Sequence, residues 1–195
     1  MAQRRAPKPS SLSGKTWRVP DLGKVRVATA SRRALEDLDR RWGAMRRPED
    51  VHLAWRWTEI VPDMREAFIV YAEDAPIGIW ASKSGSPLAL EGAAYYRLDY
   101  LEIDPARRGD GATSPLLFAL IAKRAAEHRA SGIVLAAFNV EGLIETYVAL
   151  GAELGCPRGW NHPPELVPLT FRQVALDELR ALIDALQEDP GRALP

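Results

Sequence analysis

Length, composition and charge favour a single globular domain. The chain has 195 residues, of which 47% are hydrophobic and 27% charged, and its 26 basic and 26 acidic side chains balance to a net charge of zero. These values are ordinary for a protein with one well-buried core. Proteins that bind duplex DNA usually carry a basic excess, so nucleic acid is not expected as a main partner.

The cysteine content and the lack of a long apolar segment bear on localisation. Cys156 is the only cysteine, so no internal disulfide can form and a reducing compartment is favoured. Residues 1–15 are charged and have no apolar stretch of the kind that a signal peptide needs. No apolar run approaches the roughly 20 residues of a membrane helix. We therefore expect a cytoplasmic protein that does not bind membranes.

The chain divides into three parts by composition. Residues 1–22 are rich in Pro, Ser, Lys and Arg and lack periodicity, which predicts a flexible N-terminal arm that contacts the body at Trp17. Residues 23–174 are predicted to form the main domain, and residues 175–195 a C-terminal helix and tail.

From residue 24 onward the hydrophobic pattern changes between the periods typical of strands and of helices. Ser31 is a favoured N-cap, Pro48 suits a first helical turn, and Gly132 and Gly151 are predicted to end helices. In chain order the pattern predicts strand 24–30, helices 31–45 and 48–60, strands 66–74, 76–85 and 95–104, helix 114–130, strand 133–138, helix 141–150, strand 166–171 and helix 176–186.

The order strand–helix–strand–helix between residues 95 and 151 sets the fold class. Such an order predicts two parallel strands joined by a helical crossover. The strands before residue 95 are connected too tightly to be parallel. The consistent architecture is an α/β fold with a mixed sheet flanked by helices.

Residues 100–121 are the most informative segment. An apolar strand stops at Pro105, passes through a short Arg/Gly turn and continues as an apolar-striped helix. This order directs unpaired backbone N–H groups and the positive end of the helix to one point, where an anionic phosphate is stabilised. With Arg107 and Arg108 beside it, the turn predicts a site for a phosphorylated small molecule.

Two motifs give this segment a family resemblance. Residues 108–113 (RGDGAT), which follow a strand and lead into a helix, resemble motif A of the GNAT superfamily of N-acetyltransferases, R/Q-x-x-G-x-G/A. Strand 133–138 is followed by Asn139, and Tyr147 precedes Gly151 by four residues, similar to the N…Y-x-x-x-G pattern of many members. The resemblance covers residues 95–152 and depends on the motifs together, because the turn alone is a weak signal.

The resemblance implies a fold and a cofactor. The fold is a mixed, mostly antiparallel sheet whose fourth and fifth strands are parallel and splayed. The cofactor is acetyl-CoA, with its pyrophosphate on the amides of the turn and its pantetheine arm between the splayed strands. The implied cofactor-binding residues are Leu101, Ile103, Arg108, Gly109, Asp110, Gly111, Ala112, Thr113, Ser114 and Asn139.

Several of these positions have a second interpretation. Thr113 replaces a small residue and adds a β-branched side chain near the phosphate, although its hydroxyl offers an alternative donor. Asn139 lies one residue further from Tyr147 than is common, and it is also a suitable helix N-cap. Arg108 is either a phosphate contact or part of a surface salt bridge.

The implied reaction transfers an acetyl group to a primary amine of a small molecule, peptide or protein by direct attack. Tyr147 is expected to donate a hydrogen bond to the CoA sulfur, although it also lies on an apolar helix stripe. Glu102 and Asp99 are candidate bases, and at most one of them can face the cleft because side chains alternate along a strand. The histidines lack metal-ligand spacing, so no metal is expected.

Other functions remain open from the sequence. Trp55, Trp57 and Trp80 either line an acceptor pocket or belong to the core. A module that binds acyl-CoA without catalysis is the main alternative, and an unrelated nucleotide-binding protein is a third. Dimers are common in the family that the chain resembles, so a homodimer is possible.

Overall fold

A computed structural model of the chain describes residues 10–48, 50, 54–84, 87–140 and 142–186. The strands are β1 (Thr16–Val19), β2 (Gly23–Thr29), β3 (Glu66–Ala72), β4 (Ala75–Ser82), β5 (Leu88–Leu90), β6 (Ala93–Leu98), β7 (Tyr100–Ile103), β8 (Gly132–Phe138), β9 (Ala152–Leu154) and β10 (Leu166–Arg172). The helices are α1 (Arg32–Gly43), α2 (Trp57–Ile60), α3 (Thr113–Glu127), α4 (Leu143–Ala149) and α5 (Gln173–Asp184). Within these residues, no helix is long and apolar enough to cross a bilayer.

The strands form two five-stranded sheets. In the first sheet the order is β1-β2-β3-β4-β7, and each neighbouring pair is antiparallel. In the second sheet the order is β5-β6-β8-β10-β9, and β6 and β8 are parallel. Parallel strands need a long crossover, which α3 provides. The predicted α/β class and the parallel pair joined by a helix are confirmed.

Helices cover both faces of the first sheet. On one face, the completely buried Leu117 and Leu120 of α3 pack in a core that extends into the second sheet. On the opposite face, Leu38 and Trp42 of α1 pack in a second core with Ile79 of β4. We call these the α3 face and the α1 face.

The predicted strand 95–104 is divided at Asp99, which corrects the expectation of one strand in one sheet. β6 lies before this residue in the second sheet, and β7 lies after it in the first. The side chains of Tyr96 and Leu98 belong to the α3-face core, whereas that of Tyr100 packs against the α1-face core. The break is what allows one length of chain to join both sheets.

Residues 10–22 pack against the domain, which corrects the prediction of a flexible arm for this part of segment 1–22. β1 pairs with β2, and the side chains of Leu12 and Trp17 are buried. Ser10 and Ser11 also donate hydrogen bonds to the Glu127 carboxylate. Because the segment has few apolar residues, its composition did not predict strand β1. Residues 1–9 lie outside the described part.

The predicted helix 48–60 is mostly absent from the part that is described. Only Trp57–Ile60 is α-helical, and residues 49 and 51–53 lie outside the described residues. The first amides of this short helix donate to the carboxylate of Asp39 in α1. Its cap therefore comes from a residue distant in sequence, which a local pattern does not reveal.

Helix α3 ends before Gly132, the residue that was predicted to terminate it. Arg129 adopts the left-handed conformation with φ +57°, and the amide of Ala130 donates to the carbonyl of Ala125 at 3.0 Å. Gly132 instead begins β8, where the Tyr95 ring would lie 2.5 Å from an added Cβ. Close packing across the parallel pair explains this glycine. Gly151, with φ +95°, follows α4 as predicted.

Candidate active site

The two sheets separate just beyond the parallel pair, and the separation opens a cleft. Leu98 still lies opposite Leu135 in the parallel ladder. Beyond that point β7 pairs with β4, whereas the end of β8 pairs with β10. β7 is therefore an edge strand of the first sheet, and its outer edge borders the cleft.

Backbone groups of Leu101 and Ile103 point from this edge into the cleft. The amide of Asp104 donates to the carbonyl of Ile77 in β4 at 3.1 Å. Because backbone groups change direction at each residue of a strand, those of Leu101 and Ile103 point away from β4. They can bind an extended chain as an added strand would.

A cavity of about 330 Å³ occupies the cleft and is lined from both faces of the sheets. From the α3 face come Leu98, Leu101, Leu135, Ala137, Leu143 and Tyr147. The other lining residues include Trp55 and Tyr100, which pack against the α1-face core, and three residues of the loop after β9, Trp160, Asn161 and His162.

Tyr147 presents a protonated hydroxyl to the cavity. Its ring packs edge-on against Phe118, with the ring centroids 5.4 Å apart. Burial raises the pKa of Tyr147 to about 12. Its hydroxyl has no hydrogen-bond partner among the described residues, so it can donate to a ligand atom.

Asp99 is the acidic side chain of this stretch that lines the cavity. Its Oδ1 accepts from Nη2 of Arg97 at 2.6 Å, and its Oδ2 accepts from the amide of Lys83 at 2.7 Å. Burial raises the pKa of Asp99 above its usual value, although both partners act in the opposite direction. A carboxylate with a raised pKa is a better base than an exposed one.

Glu102 does not line the cavity, which corrects its expected role as a catalytic base. The side chain is completely buried on the α1 face. It accepts from Nε and Nη2 of Arg46 at 2.9 and 2.8 Å, and from Nε1 of Trp57 at 2.6 Å. Both oxygens are occupied and the side chain has no exposed surface, so Glu102 forms a buried ion pair with Arg46.

In the turn between β7 and α3, some backbone amides are free to donate to a ligand, and others already donate to Asp110. The amides of Gly109, Gly111 and Ser114 have no acceptor within the described part of the chain. Those of Ala112 and Thr113 donate to Oδ1 of Asp110, at 3.0 and 2.9 Å. Gly109 and Gly111 have φ of +80° and +74°, a conformation that favours glycine.

Asp110 also binds the Thr113 hydroxyl. That hydroxyl donates to Oδ2 of Asp110 at 2.6 Å, and the Thr113 side chain is completely buried. Thr113 thus neither covers the turn nor offers its hydroxyl to a phosphate in this conformation. Burial opposes ionisation of Asp110, but the hydrogen bonds from Thr113 and Ala112 outweigh it and hold the pKa of Asp110 below its usual value.

The arginines of the turn are engaged with carboxylates. Nη1 of Arg108 lies 2.6 Å from Oδ1 of Asp50, and its Nη2 lies 3.7 Å from Glu102. Arg107 lies 3.8 Å from Asp110. In this conformation Arg108 forms a salt bridge with Asp50, and about a third of the Arg108 side chain is exposed to solvent.

Asn139 lies exposed at the end of β8 and is not the N-cap of α4. That position belongs to Gly142, with φ +77°. A contact of Asn139 with a cofactor across the cleft remains a prediction.

Several solved structures resemble this chain in fold. Naa50 from Arabidopsis thaliana, in complex with a bisubstrate analogue, is 18% identical, with a TM-score of 0.51 over 75% of this chain and 97% of that chain. A GNAT-family acetyltransferase from Listeria monocytogenes is 15% identical, with a TM-score of 0.53 over 76% and 95%. This chain has the GNAT fold.

An uncharacterized protein from Bacillus halodurans has a TM-score of 0.60 at 12% identity, over 90% of this chain and 99% of that chain. No protein-family model matches the sequence, and no curated protein does. At these identities the likeness concerns the GNAT fold alone.

Within the GNAT fold, the three candidate acceptor-pocket tryptophans have different positions. Trp55 lines the cavity. Trp57 and Trp80 are completely buried, and Trp57 binds Glu102. The pocket interpretation is therefore retained for Trp55, and the core interpretation holds for the other two.

The loop 156–165 supplies cavity residues that sequence reasoning missed. Trp160, Asn161 and His162 line the cavity, although the segment was predicted only as an irregular loop. A tryptophan and a histidine in an otherwise polar, proline-rich loop were the available signal. Arg46, the partner of Glu102, had no signal, because 56 residues separate the two.

Proposed function

We propose that this protein is an acetyl-CoA-dependent N-acetyltransferase that acts on a primary amine of a small molecule, peptide or protein. One observation carries the proposal. The Tyr147 hydroxyl, the outer edge of β7 and the Asp99 carboxylate border a single cavity that is lined from both faces. Naa50, which has the same fold, was solved with a CoA-containing bisubstrate analogue, and this supports acetyl-CoA as the cofactor.

The residues fit acetyl-CoA along the length of the cleft. Leu101 and Ile103 offer backbone donors and acceptors for the amides of the pantetheine arm. The free amides of the turn offer donors for the pyrophosphate, together with the N-terminus of the 15-residue helix α3. Each favourable contact at a helix end contributes about 0.3–1 kcal/mol, so several must act together. Asn139 is our candidate for a contact across the cleft.

Acetyl-CoA, when bound, supplies an activated thioester. An acceptor alkylamine with a pKa near 10.4 must first lose its ammonium proton to the solvent, which costs about 4–5 kcal/mol at pH 7. Asp99 takes the proton that the nitrogen releases as the C–N bond forms and the C–S bond breaks. The partly buried ion pair with Arg97 holds the Asp99 carboxylate in place for this step.

Tyr147 stabilises the departing sulfur by a hydrogen bond. Its pKa of about 12 lies well above the value of about 8.5 for a thiol, so complete proton transfer to the thiolate is uphill by roughly 5 kcal/mol. A hydrogen bond that strengthens as charge develops avoids this cost. Tyr147 therefore acts as a donor that keeps its proton.

Two measurements on the purified chain test the proposal. Calorimetric titration with acetyl-CoA should give saturable binding, and thiol release in the presence of a panel of primary amines should depend on the amine. Lack of binding at high-micromolar acetyl-CoA would overturn the assignment.

The conformation of Asp110 favours one alternative, a module that binds acyl-CoA without catalysis. Asp110 binds two amides of the turn with a negative charge, which competes with a phosphate and weakens cofactor capture. Tight CoA binding without amine-dependent thiol release across the panel, at pH values from 6 to 10, would favour this alternative.

A further inference from the structure

Five aromatic side chains besides Tyr147 line the cavity. They are Trp55, Tyr100, Phe138, Trp160 and His162. The ring centroids of Trp55 and Tyr100 lie 5.2 Å apart at an interplanar angle of 75°, and those of Trp160 and His162 lie 5.6 Å apart. Rings that pack against one another form rigid walls, which suit a flat apolar group.

The charged groups of the cavity lining leave a positive excess. The lining contains Lys83, Arg97 and a single carboxylate, Asp99, whose two oxygens already accept from Arg97 and from the Lys83 amide. The charge of Lys83 also acts on Asp99, so two cations share one carboxylate. These cations are available to a ligand.

Trp160 contributes its ring to the cavity lining. Its indole N–H is buried, with almost no accessible surface, and is therefore not a donor for a ligand in the cavity. The cavity combines flat apolar walls with two cationic side chains.

This chemistry selects against polyamines and other polycations, because they would meet uncompensated positive charge. The cavity of about 330 Å³ is at the small end of ligand pockets and is shared with the thioester end of the cofactor, so the room left for the acceptor favours a metabolite over a large substrate. We infer that the acceptor is an aromatic α-amino acid. Its ring lies between the aromatic walls, its carboxylate binds Lys83 and Arg97, and its amine faces Asp99. The inference rests on the proposed acetyltransferase function.

A panel of four acceptors tests separately the aromatic ring, the carboxylate and the charge of the acceptor. L-tryptophan has the ring and the carboxylate, tryptamine lacks the carboxylate, L-alanine lacks the ring, and spermidine is a polycation. Thiol release and mass detection of the N-acetyl product should give a kcat/KM for L-tryptophan about tenfold or more above the other three, since a charge-assisted contact contributes at least that factor. A preference for tryptamine or spermidine would overturn the inference and leave the acetyltransferase function standing.

A variant pair tests the carboxylate contact directly. Lys83→Gln should raise the ratio of KM for L-tryptophan to KM for tryptamine about tenfold, because only the amino acid carries the carboxylate that Lys83 binds. Arg158→Gln is the matched control, since Arg158 is an exposed cation of the loop 156–165 outside the cavity lining. Equal effects of Lys83→Gln on both acceptors would contradict the contact. Acetyl-CoA binding with no acetylation of any amine would instead refute the proposed function itself.

Discussion

Asp110→Asn should strengthen acetyl-CoA binding. In the structure the Asp110 carboxylate accepts from the amides of Ala112 and Thr113, in the turn that we propose as the pyrophosphate site. Asparagine keeps an oxygen that accepts from these amides but removes the negative charge. The cap on α3 is therefore retained in part, and the repulsion between two anions is removed.

The size of the effect follows from Coulomb's law. Two unit charges about 5 Å apart in a water-like dielectric repel each other by about 0.8 kcal/mol, and a pyrophosphate with two charges by about 1.7 kcal/mol. Because 1.4 kcal/mol is a factor of ten, the Kd of acetyl-CoA should fall between about fourfold and fifteenfold. The gain should shrink at high salt, since the turn is exposed and salt screens such charges.

Calorimetry at two salt concentrations measures this gain. Asp104→Asn is the matched control: its carboxylate accepts from the Ala106 amide at 3.0 Å in the preceding turn and does not cap α3. An Asp110→Asn protein of normal stability whose Kd is unchanged or raised would refute the reasoning.

Three other predictions concern Tyr147, Glu102 and Glu66. Tyr147→Phe should lower kcat at least about tenfold with little change in the Kd of acetyl-CoA, because it removes only a transition-state donor; an unchanged kcat in steady-state assays would contradict its role. Glu102→Gln should cost about 3–5 kcal/mol in chemical denaturation, since it leaves Arg46 buried without a countercharge; lost activity at full stability would restore Glu102 as a base. Burial opposes ionisation of Glu66, but hydrogen bonds, first that from His128, lower its pKa from 4.5 to about 2. The stability from this ionisation is present above pH 4.5 and is lost as the pH falls toward 2, by about 3 kcal/mol, so urea midpoints should fall over that range, and less so in Glu66→Gln.

The sequence predicted best where local pattern and tertiary packing agree. Helix α1 begins after Ser31, whose hydroxyl accepts from the Ala34 amide as an N-cap should. The strands before residue 83 and the crossover through α3 were also predicted from the sequence, because each has a long apolar pattern between clear turn residues. Short strands such as Leu88–Leu90 and Ala152–Leu154 were missed, since three residues form a strand only when a neighbour pairs with them.

For the site, the sequence determined by itself the strand–turn–helix order around Gly109 and Gly111, because φ preference, proline placement and apolar periodicity are local properties. Only the tertiary structure decided which side chains share the cavity. Glu102 is paired with Arg46 on the α1 face, away from the cavity. Asp99 lies where the two sheets separate, and its side chain lines the cavity. The separation of the two sheets arises because β7 pairs with β4, whereas the end of β8 pairs with β10. Such long-range pairing cannot be predicted from a local sequence pattern. The direction in which a side chain points, its burial and its charge partners depend on how the whole chain packs. These properties therefore decide which of the candidate residues in the sequence can act in the site.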